Sequence, residues 1–334
     1  MSKNKCVREK YLYLSAMLRA REAKMLTREK AERMIDTASF DEAAKILTDC
    51  GYEDFSGMNA KQVDTALAER RAEIFAEIAR MSPDPEPVEV FRMKYDYHNA
   101  KTLLKSEAAA TEREDLLSGS GRVSAQVLTK SITEEKFTSV PPVLADAIVQ
   151  AKSVLARTAN PQLADFVLDK AYFAELQNAA EKLGSKFLKG YAGILIDSAN
   201  LRSAVRTMRM GKDADFLKLA LVPGGNTDVG RVAAASSSGE ALAALFANTG
   251  LAAAAALGAE AVNGGRMTDF ELACDNAVTA YLTNARLVAF GEAPVIAYLA
   301  AVEGETTAVR MILTGFLAGI APDTIRERMR DLYA

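Results

Sequence analysis

Residues 91–105, FRMKYDYHNAKTLLK, decide the fold because their pattern returns 101 residues later in 192–206, AGILIDSANLRSAVR. In both copies an Asp precedes an Asn by three residues, and a basic residue follows the Asn by two. The matched residues are Asp96, Asn99 and Lys101 in the first copy and Asp197, Asn200 and Arg202 in the second. The mainly apolar positions of each copy are spaced by four, three and four, which is typical of one face of an amphipathic helix. This repetition predicts a chain built from related helical modules.

The repeat extends upstream and has a third, looser copy. Upstream, Asp64 matches Asp165, and each stands 32 residues before the Asp of its own copy. In the third copy Glu305 and Arg310 take the acidic and basic positions, and Ala308 replaces the Asn. Residues three apart share a helix face. We therefore predict that each Asp and Asn pair forms hydrogen bonds to a neighbouring helix, so that the repeated residues hold the modules together and do no chemistry.

The rest of the sequence predicts an all-α protein. Nine prolines punctuate 334 residues, and the segments between them are rich in Ala, Leu, Glu, Lys and Arg. Ser39 with Glu42 predicts a capping box, and Pro322 predicts the start of a final helix that includes IRERMRDLY, residues 325–333. No series of alternating strands with tight turns is present in the sequence. The three pseudo-repeated modules are predicted at 1–118, where the N-terminal helix also packs near the C-terminus, at 119–222 and at 223–334.

Composition and missing motifs exclude several function classes. Lys and Arg total 41 against 44 Asp and Glu, so the charge is balanced, which argues against a nucleic-acid-binding protein. Because His98 is the single histidine of the sequence, we exclude most histidine-based metal sites and a Ser-His-Asp triad. Cys6, Cys50 and Cys274 lie far apart, which predicts a reducing compartment and no disulfide framework. No P-loop, HExxH motif, EF-hand loop or GxSxG elbow occurs, so the sequence offers no motif for a nucleotide cofactor, a metal or a catalytic nucleophile.

The sequence also bears on membrane insertion. The basic N-terminal segment lacks an apolar core of signal-peptide length. Residues 241–259 carry no charge, but the run is mostly Ala with too few Leu and Phe residues to favour insertion. We therefore predict a closely packed pair of Ala-rich helices there, and no direct membrane span.

Several segments together resemble a known family. The segment FRMKYDYHNAKTLLK, at 91–105, is similar to the signature of the C subunit of archaeal and bacterial V-type (A-type) ATPases, whose eukaryotic counterpart is the V-ATPase d subunit. Residues 13–30, YLSAMLRAREAKMLTREK, residues 167–176, VLDKAYFAEL, and residues 290–330, which begin FGEAPVIAYLAAVEGE, also resemble that family. The third copy departs from the family pattern at Ala308, where Asn is usual.

The resemblance implies a fold and a function. It implies a funnel-shaped, all-α subunit of three similar subdomains. Such a subunit is the central-rotor adaptor between the shaft, subunits D and F, and the proteolipid rotor ring in the membrane. It couples the two for ATP-driven ion transport or ATP synthesis. It holds no nucleotide or cofactor and lies at the cytoplasmic face of the membrane, peripheral to it, as part of the ATPase complex.

Two other functions are compatible with the residues alone. One is an all-α repeat scaffold of an unrelated complex, which would capture different partners. The other is a helical enzyme that uses carboxylates alone, and it predicts turnover by the isolated chain. Asp96 and His98 are poor candidates for an acid and base pair, since residues two apart on a helix point to different faces.

Overall fold

The computed structural model describes residues 7–111 and 113–334. These residues form sixteen α-helices, short 3-10 turns at Arg8–Tyr11, Glu114–Leu116 and Asn284–Leu287, and no strand, which confirms the predicted all-α class. The helices are α1 (Leu12–Glu22), α2 (Arg28–Ile35), α3 (Phe40–Thr48), α4 (Ala60–Met81), α5 (Glu86–Ala108), α6 (Ala125–Glu134), α7 (Pro142–Thr158), α8 (Pro161–Leu183), α9 (Lys186–Arg209), α10 (Ala214–Ala220), α11 (Val229–Ala235), α12 (Gly239–Phe246), α13 (Ala252–Val262), α14 (Met267–Thr283), α15 (Glu292–Leu317) and α16 (Pro322–Arg328).

Polar side chains mark where many helices begin. Ser39 caps α3 by accepting a hydrogen bond from the backbone N–H of Glu42, whose side chain accepts one from the N–H of Ala38. A complete capping box that the sequence analysis missed opens α4, where Asn59 and Gln62 satisfy each other's backbone N–H groups. Such caps each stabilise a helix by about 1 kcal/mol because they satisfy backbone donors that have no partner inside the helix.

The last helix is shorter than predicted. The pattern IRERMRDLY predicts helix to residue 333, but α16 ends at Arg328 and Met329 has extended backbone. The chain leaves the helix because tertiary contacts hold it. Arg330 pairs with Asp275 at 2.8 Å, and the backbone N–H of Asp331 donates to the side chain of Asn276. Long-range partners of this kind override local helix propensity.

The uncharged run at 241–259 folds as two helices, α12 and α13, as predicted. They lie so close that a Cβ on Gly239 would be 2.9 Å from the Cα of Ala259, a distance that no side chain tolerates. Small residues at a helix crossing allow this approach.

No helix in the described part of the chain is both long and apolar enough to cross a membrane. Cys50 and Cys274 are buried thiols, and Cys6 lies outside the described residues.

The described residues group into two compact units. The first unit is Glu86–Gly265, and one of its hydrophobic clusters is built from α5, α6, α7 and α8 around buried residues such as Leu128 and Leu168. The second unit joins residues 7–85 to Arg266–Ala334, and one of its hydrophobic clusters packs α2, α3, α4 and α16 around α15. The unit boundaries do not coincide with the boundaries of the three modules, which remain a prediction.

Candidate functional site: loops anchored by buried acids

The first copy of the repeat anchors the loop between α5 and α6. Asp96 and Asn99 are fully buried on α5. The amide of Asn99 donates to the carbonyl oxygen of Ser118 at 2.8 Å and accepts from the N–H of Ser118 at 2.8 Å. Oδ1 of Asp96 accepts from the N–H of Val123 at 3.1 Å. The middle of this loop and its end before α6 are therefore fixed to one helix by side chains three residues apart.

The second copy makes the same contacts. Asn200 on α9 pairs both ways with the backbone of Val222, with each bond 2.8 Å long. Asp197 accepts from the N–H of Asn226 at 3.1 Å and of Thr227 at 3.0 Å. The sequence pattern predicts a neighbouring helix as the partner of these side chains, and the structure instead gives the backbone of a loop. Loop N–H and C=O groups need partners when they are buried, whereas those inside a helix are already paired.

The third copy anchors a segment from the other end of the chain. Glu305 on α15 accepts from the N–H of Leu26 at 2.6 Å and from the hydroxyl of Tyr52 at 2.6 Å. Leu26 directly precedes Thr27, the residue that caps α2. Val123 and Thr227 hold the same position, because each directly precedes the cap of α6 or α11. In all three copies the buried acid thus holds the N–H just before a capped helix.

The first copy carries an additional charge network. Arg122 pairs with Oδ2 of Asp96 and with Oε1 of Glu175, each at 2.6 Å, and the hydroxyl of Tyr97 donates to Glu175 at 3.0 Å. Burial raises the pKa of Asp96, although Arg122 works against that rise. Burial opposes the charge of Arg122, but its two carboxylate partners outweigh this and raise its pKa. The network ties α5 to α8.

The other two acids are held mainly by uncharged donors. Burial raises the pKa of Asp197, with hydrogen bonds from the loop backbone acting in the opposite direction. Burial also raises the pKa of Glu305, and the bonds from Tyr52 and Leu26 limit that rise. A buried carboxylate that keeps its charge needs such donors, because its charged form loses hydration when it leaves water.

The basic members of the repeat lie nearer the surface. Lys101 pairs with Asp169 at 2.5 Å, Arg202 donates to the hydroxyl of Ser198 at 2.8 Å, and Arg310 pairs with Asp64 at 2.7 Å. Asp165, which the sequence matches to Asp64, forms an ion pair with Lys105 at 2.6 Å. Except for the bond within α9, these pairs join α5 to α8 and α15 to α4, so they link neighbouring helices at partly exposed positions.

The arrangement has little capacity for catalysis by the residues that the repeat brings together. Asp96 is buried, whereas His98 is exposed with its Nε2 3.0 Å from the carbonyl oxygen of Leu116. Within residues 7–111 and 113–334, no group of three His, Cys, Asp or Glu side chains could hold a metal ion. In that same part of the chain, only Oε1 of Glu22 is a buried side-chain oxygen or nitrogen without a hydrogen-bond partner. The repeated acids bind backbone and hold the fold.

Replacing Gly121 by Ala should loosen the first loop. A Cβ at this position would overlap Oδ1 of Asp96 and lie 3.2 Å from the carbonyl oxygen of Val123. Because Arg122 and Val123 fix that carboxylate, we expect the variant to lose about 1–3 kcal/mol of unfolding free energy. Gly119→Ala is the matched control, since no atom lies within 4 Å of its added Cβ. Urea denaturation of both variants measures the difference, and equal stabilities would contradict it.

The raised pKa of Glu305 predicts a dependence of stability on pH. The folded chain binds this proton more tightly than the unfolded chain does, so the stability that protonated Glu305 contributes is complete below the pKa of the unfolded chain, about 4.5. That contribution is lost as pH rises through the higher pKa of the folded state. We expect the unfolding free energy of the wild type, minus that of Glu305→Gln, to decrease from pH 4 upward and then level off. Urea titrations between pH 4 and 8 test this, and a difference that rises with pH would contradict it.

Sequence comparisons relate this chain to one group of proteins. The family described as "ATP synthase (C/AC39) subunit" matches residues 14–328 of the chain. The C subunit of the V-type sodium ATPase of Enterococcus hirae is 24% identical over 97% of this chain and 99% of its own length. The C subunit of the A-type ATP synthase of Methanocaldococcus jannaschii is 25% identical over 96% of this chain and 86% of its own. The C subunit of the V-type ATP synthase of Thermus thermophilus is 25% identical over 62% of this chain and 67% of its own.

Proposed function

The chain belongs to the ATP synthase (C/AC39) subunit family, and from this premise we propose that it is the central-rotor adaptor of a V/A-type ATPase. In this role it joins the central shaft, subunits D and F, to the proteolipid rotor ring in the membrane. It lies peripherally at the cytoplasmic face of that membrane. It transmits rotation for ion transport or ATP synthesis without binding nucleotide or carrying out catalysis.

The observation that carries this proposal is the family match, which extends over residues 14–328 of a chain whose repeated acids all anchor loops. An adaptor that transmits torque must not deform under load. Close-packed helical interiors have low compressibility, and buried side-chain to backbone bonds fix the loops that connect the helices. These bonds restrain the segments between helices, where an all-α protein is otherwise most mobile, and this supports the proposed role.

The two alternative functions have less support. A carboxylate enzyme needs acids that are accessible to substrate, whereas Asp96, Asp197 and Glu305 are buried and engaged by backbone N–H groups. A scaffold of an unrelated complex is compatible with the helices, but it gives no reason for similarity to ATPase subunits over almost the whole chain.

Depletion and add-back test the proposal. Membrane vesicles that contain the ATPase without this chain should still hydrolyse ATP, but they should lose ATP-driven uptake of the transported ion. Adding the purified chain should restore uptake and should recover the shaft and ring subunits together in a detergent pull-down. Undiminished ion uptake without the chain, or recovery of neither partner, would contradict the adaptor function.

A further inference from the structure

Exposed apolar side chains gather around the start of α1, in the second unit. Within residues 7–111 and 113–334, the three most exposed large hydrophobic side chains are Leu287, Tyr13 and Leu12, at 88%, 74% and 58%. Val7, which precedes α1, is 47% exposed. Single exposed apolar residues are ordinary on a protein surface, whereas a group of them marks a contact surface. These four side chains form the apolar patch.

The turn that carries Leu287 is held against α1, so the patch is one surface. The hydroxyl of Ser15 donates to the carbonyl oxygen of Gly291 at 3.3 Å and accepts from its N–H at 3.2 Å. The guanidinium of Arg19 donates to two carbonyl oxygens of the same turn. Leu12 shares a helix face with Ser15 and Arg19, because it precedes them by three and seven residues. It therefore lies beside the turn, on the side of α1 that the turn covers only in part.

The charge around the patch is positive. Arg8 and Lys10 are exposed, and neither forms an ion pair with any residue that the structure describes. A Cβ on Gly291 would lie 3.3 Å from Cγ of Arg8, so this arginine is beside the turn as well. As far as Tyr13 the sequence has four basic residues and a single acid, which are Lys3, Lys5, Arg8, Lys10 and Glu9. The patch therefore offers two unpaired cations next to exposed apolar side chains.

We propose that the apolar patch and its basic residues dock on the surface of an anionic lipid membrane. Leu and Tyr side chains enter the boundary between headgroups and acyl chains, while Lys and Arg bind the anionic headgroups. A protein partner fits this composition less well, because lysine is depleted in protein interfaces. The proposal goes beyond the proposed function, in which the chain reaches the membrane through the rotor ring, because it adds a direct contact with lipid.

Vesicle flotation with the purified full chain tests the proposal. The vesicles contain phosphatidylcholine alone or phosphatidylcholine with about 30% phosphatidylglycerol. We expect the wild type to bind the anionic vesicles at least about 10-fold more tightly than the neutral ones. Binding should weaken at about 0.5 M salt, because the Debye length becomes shorter. Equal binding to both kinds of vesicle, or no binding to the anionic ones, would overturn the proposal.

Two double variants locate the contact. Tyr13→Ser with Leu287→Ser removes two apolar side chains and should weaken binding to the anionic vesicles about 10-fold. Arg8→Gln with Lys10→Gln removes two charges and should weaken it about 25-fold, since each basic residue near such a surface strengthens binding about fivefold. Circular dichroism and Tm establish that the variants are folded. The comparison of the two vesicles needs only the wild type, so it decides the proposal even if a variant does not fold.

Matched controls change equivalent residues outside the patch. Val143→Ser with Val149→Ser is the apolar control, since these side chains of α7 are 41% and 53% exposed. Lys45→Gln with Lys61→Gln is the charge control, on exposed lysines of α3 and α4. Both controls should bind within about twofold of the wild type. Patch variants that bind as well as the controls would overturn the proposal. So would patch variants that lose the shaft or ring subunits in a pull-down while the wild type binds no vesicle, since a protein would then cover the patch.

Discussion

Replacing Glu305 by Ala should lower the free energy of unfolding by about 3–5 kcal/mol. The substitution removes the acceptor of two hydrogen bonds in a buried place, the N–H of Leu26 and the hydroxyl of Tyr52. A buried donor that is left without a partner costs about 1–3 kcal/mol, and the missing side-chain volume adds a cavity. The loss should be largest around the start of α2, which Glu305 fixes to α15.

Hydrogen exchange provides the local measurement for this prediction. In Glu305→Ala the amide of Leu26 should exchange faster, whereas the amide of Val123, which is held by Asp96, should keep its protection. Tyr52→Phe is the graded control, since it removes one of the two bonds and should cost only about 1 kcal/mol. A loss below about 1 kcal/mol in Glu305→Ala would show that water replaces the carboxylate without penalty.

Replacing Asp96 by Ala should be similarly damaging, with a loss of about 3–5 kcal/mol. The variant leaves the N–H of Val123 without its acceptor and removes one of the two carboxylates that balance Arg122. Breaking a buried ion pair from one side is costly because the remaining charge stays out of water. Glu175 still holds Arg122 at 2.6 Å, which keeps the loss from being larger. Urea denaturation measures the change.

Two comparisons sharpen this second prediction. Asp197→Ala removes the same type of loop anchor, but one that is held by backbone N–H groups, so it should cost about 1 kcal/mol less than Asp96→Ala. Asp169→Ala removes the partner of Lys101. Because the side chain of Asp169 is 40% exposed, this change should alter stability by less than about 1 kcal/mol. If Asp169→Ala destabilised the chain as much as Asp96→Ala, the buried anchor would have no special importance.

Local sequence patterns predicted the parts of the site that lie on one helix. The spacing of Asp96 and Asn99 placed both on one face of α5, and in the structure both side chains form hydrogen bonds to the backbone of one loop. Arg122 was missed, since it lies in the short string GSGR, which contains no periodic pattern. A usable signal was present in the glycines, because Gly121 and Gly225 occupy equivalent positions and each lies against the anchoring acid of its own copy.

By itself the sequence determined the helical class and the positions of the repeated acids, since both depend on neighbours within a few residues along the chain. Only the tertiary structure decided what each acid binds. The partner of Glu305 lies 279 residues away at Leu26, and no spacing rule connects the two. The end of α16 at Arg328 was decided in the same way, through Asp275 and Asn276 of α14. Periodicity reports which side of a helix is buried, whereas the identity of a buried partner depends on which distant segment packs against that side.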